Sequence, residues 1–392
     1  MFLAAALPAR AQTADPSAEA KVRIGPLAMT PTIALLNAGV DNNVFNEPNQ
    51  LSPKSDYTFT VEPKLDAWLH VGGTIVIGYA TEDLVYYRKY TSERSANGHF
   101  SIGLLVPLTR LTLEGKVGYV NTRERPGFEI DARSQRIELS YDGSAEVRVL
   151  SKTLVGVTAR RQKVDYDKAA VFLDSNLRFE LNRIVDTEGV TVRHELTPLT
   201  SLIFEAAREQ DRFQFSSLRD SDSTLITGGV KFDPFALIRG SATFGYRDFQ
   251  PRTPGVPGYS GSTASVDLTY VALGSTKVTG RATRDVQYSY DVNQPYYVLT
   301  GIGGELAQQI FGPVDVVGRA GVQRLDYRTR AGAVVAAANR TDYVHTYGGG
   351  FGYHMSRDFR VGFDVDHSHR DSAVDLRQYN GLRYGLSVTY GF

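Results

Sequence analysis

The densest group of reactive side chains in the sequence is Asp364-Val365-Asp366-His367-Ser368-His369-Arg370-Asp371. Carboxylates beside two imidazoles are the donor types of a metal centre, and a Ser flanked by His is the start of a hydrolase. Both chemistries need their groups on one face. In an extended segment, successive side chains point to opposite faces. His367 and His369 then share one face, and Asp364, Asp366 and Ser368 share the other. The pattern predicts two outward histidines in an amphipathic interfacial ring, not a metal or hydrolytic site. Asp41-Asn42-Asn43 offers oxygens to a cation, but a solvated loop with Asx turns accounts for it. Gly348-Gly349-Gly350 and Gly301-Ile302-Gly303-Gly304 precede no helix and are not phosphate cradles. Cysteine is absent, which excludes disulfides and thiolate metal sites. No zinc, nucleotide-binding or triad spacing occurs. The expectation is therefore no enzyme, no catalytic residue, no metal and no cofactor.

What positions these residues is a period of two. Leu382, Tyr384, Leu386, Val388, Tyr390 and Phe392 alternate with Arg383, Gly385, Ser387, Thr389 and Gly391. The same alternation marks Phe359–Asp366, Ala264–Tyr270 and residues 57–65. On a helix these apolar residues would lie all round the cylinder, so the pattern predicts strands. The polar parity collects Glu114, Lys116, Arg193, Glu195, Arg239, Arg247, Lys277, Arg281, Asp285, Arg319, Arg360, Asp364, Asp366, Arg370 and Arg383 on one surface. Acid and base are mixed there. Rings of one sign select ions, whereas a mixed lining suits neutral or weakly charged polar solutes. Arg239, Lys277, Arg281 and Arg319 make one basic stripe suited to an anionic glycan. The bland account of all these charges is that they pair across neighbouring strands in a wet interior.

Eight short connectors are expected, near residues 67–71, 106–109, 149–152, 196–200, 232–236, 271–275, 311–314 and 355–358. Longer polar segments lie between them, such as 41–54, 123–133, 165–175, 250–260 and 328–341. Short turns at one end and long loops at the other mark a transmembrane β-barrel. The class expected is all-β: an antiparallel up-and-down barrel of about 18 strands, within a range of roughly 16–20. Residues 176–181 alternate and fit either a strand extension or a separate hairpin arm. A propeller shares the repeat length of roughly 40 residues, but its Trp-Asp signature cannot recur in a chain with one Trp.

Lys+Arg and Asp+Glu both number 43, so no net field draws in nucleic acid. The most apolar stretch, 331–338, is too short to span a bilayer as a helix and reads as a loop. Ala9-Arg10-Ala11 resembles a leader cleavage signal. Residues 1–11 are then the end of a signal peptide, 12–28 a periplasmic segment and 29–392 the barrel. Export without a spanning helix still allows membrane insertion, but only as a closed barrel.

Leu181-Asn182-Arg183, Glu195-Leu196-Thr197-Pro198-Leu199-Thr200-Ser201-Leu202, Arg212-Phe213 and Leu218-Arg219-Asp220-Ser221 resemble the Putative beta-barrel porin 2 family. So do Gly229-Val230-Lys231-Phe232-Asp233-Pro234-Phe235-Ala236-Leu237-Ile238-Arg239-Gly240, Gly245-Tyr246-Arg247-Asp248-Phe249, Gly25-Pro26-Leu27 and Val40-Asp41-Asn42-Asn43-Val44-Phe45. The resemblance covers most of the chain and carries no catalytic residues. It implies a channel in the bacterial cell outer membrane that passes polar solutes or supports exopolysaccharide export. The alternative is a structural or adhesive surface protein with a plugged lumen. The partners implied are outer-membrane lipid and periplasmic polysaccharide-export components. Tyr390 and Phe392 resemble the terminal aromatic signal read by the barrel-assembly machinery.

Overall fold

The computed structural model describes residues 15–391 except 19, 234, 235, 273, 336 and 339. The expected leader segment 1–11 and the terminal Phe392 lie outside the described residues. The main sheet has 19 strands. One of them, Val22–Ile24, is a short outrigger paired only with Leu27–Met29. The others close on themselves.

Along the chain the wall strands are β1 (Leu27–Asp41), β2 (Asp56–Val71), β3 (Thr74–Tyr87), β4 (Ser95–Pro107), β5 (Leu111–Glu124) and β6 (Ser134–Leu150). They continue as β7 (Thr153–Tyr166), β8 (Arg183–Thr197), β9 (Thr200–Phe213), β10 (Ser221–Phe232), β11 (Ile238–Pro251) and β12 (Tyr259–Ala272). The last are β13 (Thr276–Tyr288), β14 (Tyr296–Phe311), β15 (Val314–Arg328), β16 (Thr341–Ser356), β17 (Phe359–Asp371) and β18 (Tyr379–Tyr390). Each pairs antiparallel with its neighbour in sequence, and β18 returns to β1 through Ile33↔Tyr390 and Asp41↔Arg383. The fold is a closed antiparallel 18-strand barrel. An even number of strands leaves β1 starting and β18 ending at the same end, the one with the short turns.

The closing seam is irregular. Its register shifts between Leu35 and Ala38, where Asn37 takes φ 53°. Gly39 faces Gly385 across it, and a Cβ on Gly39 would lie 2.0 Å from the Tyr384 carbonyl oxygen. Only glycine lets the two strands approach that closely.

Two expectations are corrected. The first turn is not at 67–71. Pairing continues to Val71↔Thr74, and the chain reverses at Gly72-Gly73 with Gly72 at φ 60°. Residues 176–181 do not extend a strand. Val171–Phe172 and Ser175–Asn176 form a two-residue hairpin, and Leu177–Leu181 is a single helical turn and a half. The Asn176 side chain accepts from Arg178 N–H at 3.1 Å and starts the helix. Leu177 and Leu181, four residues apart, bury the same face.

One arm leaves the wall. Pairing of β12 with β13 stops at Ala264↔Arg284, while β13 and β14 stay paired up to Tyr288↔Tyr296. Lower in these strands the even positions face outward, as Ile302 does at 62% exposure. Yet Val286, Tyr296 and Val298 are buried against Phe249 and Tyr259, whose odd parity faces the lumen. Tyr288 packs edge-on to Phe213 at 4.7 Å. The tip of the β13–β14 hairpin therefore folds inward across the lumen face of β9 to β12.

The outward row is apolar on every side, with Phe204, Ile226, Phe244, Ile302 and Phe351 all exposed. Burying a charge among them is costly in lipid. Ile302→Arg and Phe363→Arg should each destabilise the folded barrel by about 2–4 kcal/mol, as for cations on a lipid face near the midplane. Thr346→Arg, on the inward parity, should cost much less. Gly362 is not a suitable inward control, because a Cβ there would meet the Arg360 guanidinium at 2.6 Å. Urea titrations followed by heat-modifiable gel migration would read this out. Equal penalties on both parities would reverse the inside and outside assignment.

Candidate permeation path and its closure

The inward parity carries charges in rows across neighbouring strands. One row runs Arg239, Thr269, Thr279, Glu305, Arg319, Gly348, Asp366, Arg383 and Asp41, each directly opposite the next. Its charges alternate in sign. Arg319 reaches Asp364 at 2.7 Å and Asp366 at 2.8 Å, and Arg383 reaches Asp41 at 3.0 Å. One row nearer the loop end, Arg281 lies 3.2 Å from Asp267. Nearer the turn end, Arg360 takes both Asp315 oxygens, at 2.7 and 2.6 Å. Arg247 bridges Glu209 at 2.6 Å and Asp285 at 2.7 Å. Arg148 pairs with Glu195 at 2.9 Å, and Arg193 with Glu146.

All the charges assigned to the lumen by parity lie on inward register rows. They do not converge on one point. Glu114 and Lys116 on β5, Arg239 on β11 and Lys277 on β13 stand exposed, with no ion-pair partner among the described residues. Arg281, Arg319, Arg360, Arg383, Asp364 and Asp366 are paired. The basic stripe is thus one patch on β11, β13 and β15, but Asp267, Glu305, Asp364 and Asp366 are interleaved with it.

A cavity of about 700 Å³ opens between these rows. Arg281, Arg319 and Arg383 line it beside Gly303, Gly321 and Gly348. The small residues leave the backbone bare and make the space. Each arginine is balanced by a carboxylate in the same wall, so the cavity presents polarity without a dominant sign.

The loop end is packed. Segment 125–133, between β5 and β6, crosses the lumen and sinks Glu129 to 1% exposure. The Glu129 carboxylate accepts from Ser289 Oγ at 2.6 Å and Tyr290 N–H at 3.2 Å, at the inturned β13–β14 tip. Burial pushes its carboxyl above the usual range, against the Ser289 hydroxyl and the Arg377 and Arg340 charges. Arg370, on β17, is fully buried. It donates to Asp342 at 2.6 Å and to the Phe128 carbonyl at 2.9 Å, and lies 3.3 Å from Asp131. Arg377 donates to the Glu129 carbonyl and pairs with Asp131 at 3.1 Å. Arg219 donates to the carbonyls of Ser289 and Tyr290 at 3.0 Å each. Ile130 packs with Phe172, Leu177, Leu181 and Tyr290.

Parity reading finds Arg370 but misses Glu129, Asp131, Arg219 and Arg377, because loops have no period to read. Asp342 was legible: it shares the even parity of Val344, Thr346 and Gly348 on β16. His367 and His369 lie outward, next to the stacked row Tyr343, His345 and Tyr347. His369 bonds Asn380 at 2.6 Å and Asp371 at 2.7 Å. No group of metal-binding side chains occurs among the described residues. Asp41-Asn42-Asn43 does form an Asx turn, with Asn43 N–H on Asp41 Oδ1 at 3.0 Å. Asn43 is buried rather than solvated, and ties β1 to the Asn380 carbonyl at 2.9 Å.

A closed 18-strand barrel with an apolar outside, a charged inside and unequal ends is a porin-type membrane barrel. The chain belongs to the Putative beta-barrel porin 2 family, whose model matches residues 15–392. No curated relative matches it. Among solved structures it is similar to OpdO of Pseudomonas aeruginosa, at 11% identity over 92% of this chain and 96% of that one, TM-score 0.46. It is likewise similar to opdK of the same organism, at 11% identity over 92% and 98%, TM-score 0.47. OccAB3 of Acinetobacter baumannii follows at 10% identity over 93% and 99%, TM-score 0.45.

If ions pass this patch, Arg239→Glu with Lys277→Glu should shift reversal potentials toward cation preference without altering folding, since neither residue holds an ion-pair partner among the described residues. Arg319→Glu would place a third carboxylate beside Asp364 and Asp366 and should destabilise that wall. Unchanged selectivity in the double variant would place these cations away from the path.

Proposed function

We propose that the protein is a channel of the bacterial outer membrane that passes neutral or weakly charged polar solutes, and not an enzyme. The observation that carries this reading is the sign-alternating charge row around a cavity of about 700 Å³ within an 18-strand wall. Barrels of about 16–18 strands enclose an aqueous lumen, whereas smaller ones are filled by their own side chains. Charges of both signs, many of them paired in the wall, keep that lumen wet without a strong preference for either ion. The short turns then face the periplasm and the long loops the outside. Glycan passage in support of exopolysaccharide export is the cargo that the family resemblance implies; the cavity's neutral balance favours an uncharged polar glycan over a strongly anionic one.

The packed loop end favours a second reading, a structural or adhesive surface protein with a plugged lumen. Planar-bilayer recording separates the two. Purified protein should give ion currents with weak selectivity, rising in open fraction when the loop end is loosened by mild denaturant. Silence under both conditions would leave the structural reading.

A further inference from the structure

The channel reading leaves a physical question: what shuts the loop end, and what would open it. Segment 125–133 springs from β5 and β6 and meets the β13–β14 tip. On a ring of 18 strands, β5 and β14 are diametrically opposed. The segment and the inturned tip together bar the mouth. It contributes no strand to the wall, so it can leave without breaking a wall ladder.

We infer that segment 125–133 is a gate, and that Glu129 and Asp131 are its latch. The inference rests on the channel reading and concerns the regulation of the same lumen. Four separate elements hold the two carboxylates, the loop after β1 among them, where Asn46 Nδ2 donates to Asp131 at 3.5 Å. Ser289 and Tyr290 on the β13–β14 tip take Glu129. Arg370 on β17 and Arg377 in segment 372–378 take Asp131. Arg370 is in turn fixed by Asp342, which Arg340 and Ser372 also hold, at 2.6 Å each. Arg370 and Asp342 stand on wall strands, while the latch sits on a segment that belongs to no wall strand. Arg219 braces the far side by clamping the Ser289 and Tyr290 carbonyls. Immediately below, Arg125 and Phe128 line the cavity. Withdrawal of the segment would join that cavity to the outside.

The acid side chains give the gate its character. Removing Asp131 takes away the carboxylate that pairs with the buried Arg377, and removing Glu129 leaves the Ser289 hydroxyl and Tyr290 N–H unmet, at a cost comparable to ordinary open-to-closed differences. Loss of the latch should therefore move the population toward open, not merely loosen it.

The test compares single-channel open fraction in the whole protein, in Glu129→Ala/Asp131→Ala, and in a variant whose residues 126–132 are replaced by Gly-Ser-Gly. Arg357→Gln, an exposed site at the turn end, serves as control. Heat-modifiable migration checks the barrel of each; the shortened variant retains every residue of the wall ladders, which end at Glu124↔Ser134, and should migrate as a folded barrel. The expected result is a mostly closed parent and control, with open fraction raised roughly tenfold or more in both loop variants. A parent already open, with both variants unchanged, overturns the gate and leaves the channel reading intact. Currents from the shortened variant but not from the double alanine variant overturn the assignment of Glu129 and Asp131 as the latch. No current from any variant defeats the channel reading itself.

Discussion

In hydrocarbon an unpaired backbone N–H or C=O has no water to turn to, and each one left open costs several kcal/mol. The closure of β1 on β18 is the local answer, and every other feature depends on it. Without that pairing β1 and β18 would each expose an edge of more than ten residues to lipid. The seam accepts distortion to achieve it. Asn37 adopts a left-handed conformation, the register slips, and Gly39 meets Gly385 with no room for a side chain. Once the ring is shut, the position of one strand fixes the parity of all the others.

Parity then sorts the side chains between two solvents. Outward positions meet lipid and are apolar, while inward positions meet water and one another. An inward arginine near the wall is only partly hydrated, so it is stabilised by a carboxylate two strands away, across the glycines of the strand between. Arg319 between Asp364 and Asp366, and Arg360 on Asp315, are that solution. Pairing of this kind uses the charges against each other and weakens the lumen's net field. It also explains why so charged a lining encloses a cavity with no dominant sign. Where the wall carries Gly303, Gly321 and Gly348 instead, nothing fills the space and the cavity opens.

The wall was legible in the sequence because a barrel strand repeats every two residues, and its inside and outside follow from one decision. The placement of Arg239, Arg319, Asp366 and Arg383 on one surface needs nothing more. Reading failed where the period lapses or the strand leaves the wall. Tyr288 and Tyr296 have outward parity but lie inside, because the β13–β14 tip turns across the lumen. The turn at Gly72-Gly73 was placed too early, since His70 and Val71 read as polar-and-apolar like any strand end. Glu129 and Ser289 are 160 residues apart and sit in loops. Their meeting depends on the diameter of the finished ring, which no local pattern encodes.

The composition of the mouth bears on what kind of plug it is. An apolar plug of this breadth would be driven together by water and would resist removal under any condition. Here the apolar contacts, Ile130 with Leu177, Leu181 and Tyr290, sit to one side, and the centre is ionic. Replacing a buried charge network with packed hydrophobes is often neutral or stabilising. The network at Arg370, Asp342, Asp131 and Arg377 therefore contributes less to static stability than a greasy plug of the same volume. What it contributes is direction and reversibility. Charged groups need partners at set distances, so the segment is either seated on Arg370 and Arg377 or released to water, where its carboxylates are well solvated. An interior that discriminates so sharply between two positions of one segment is suited to switching rather than to permanent closure.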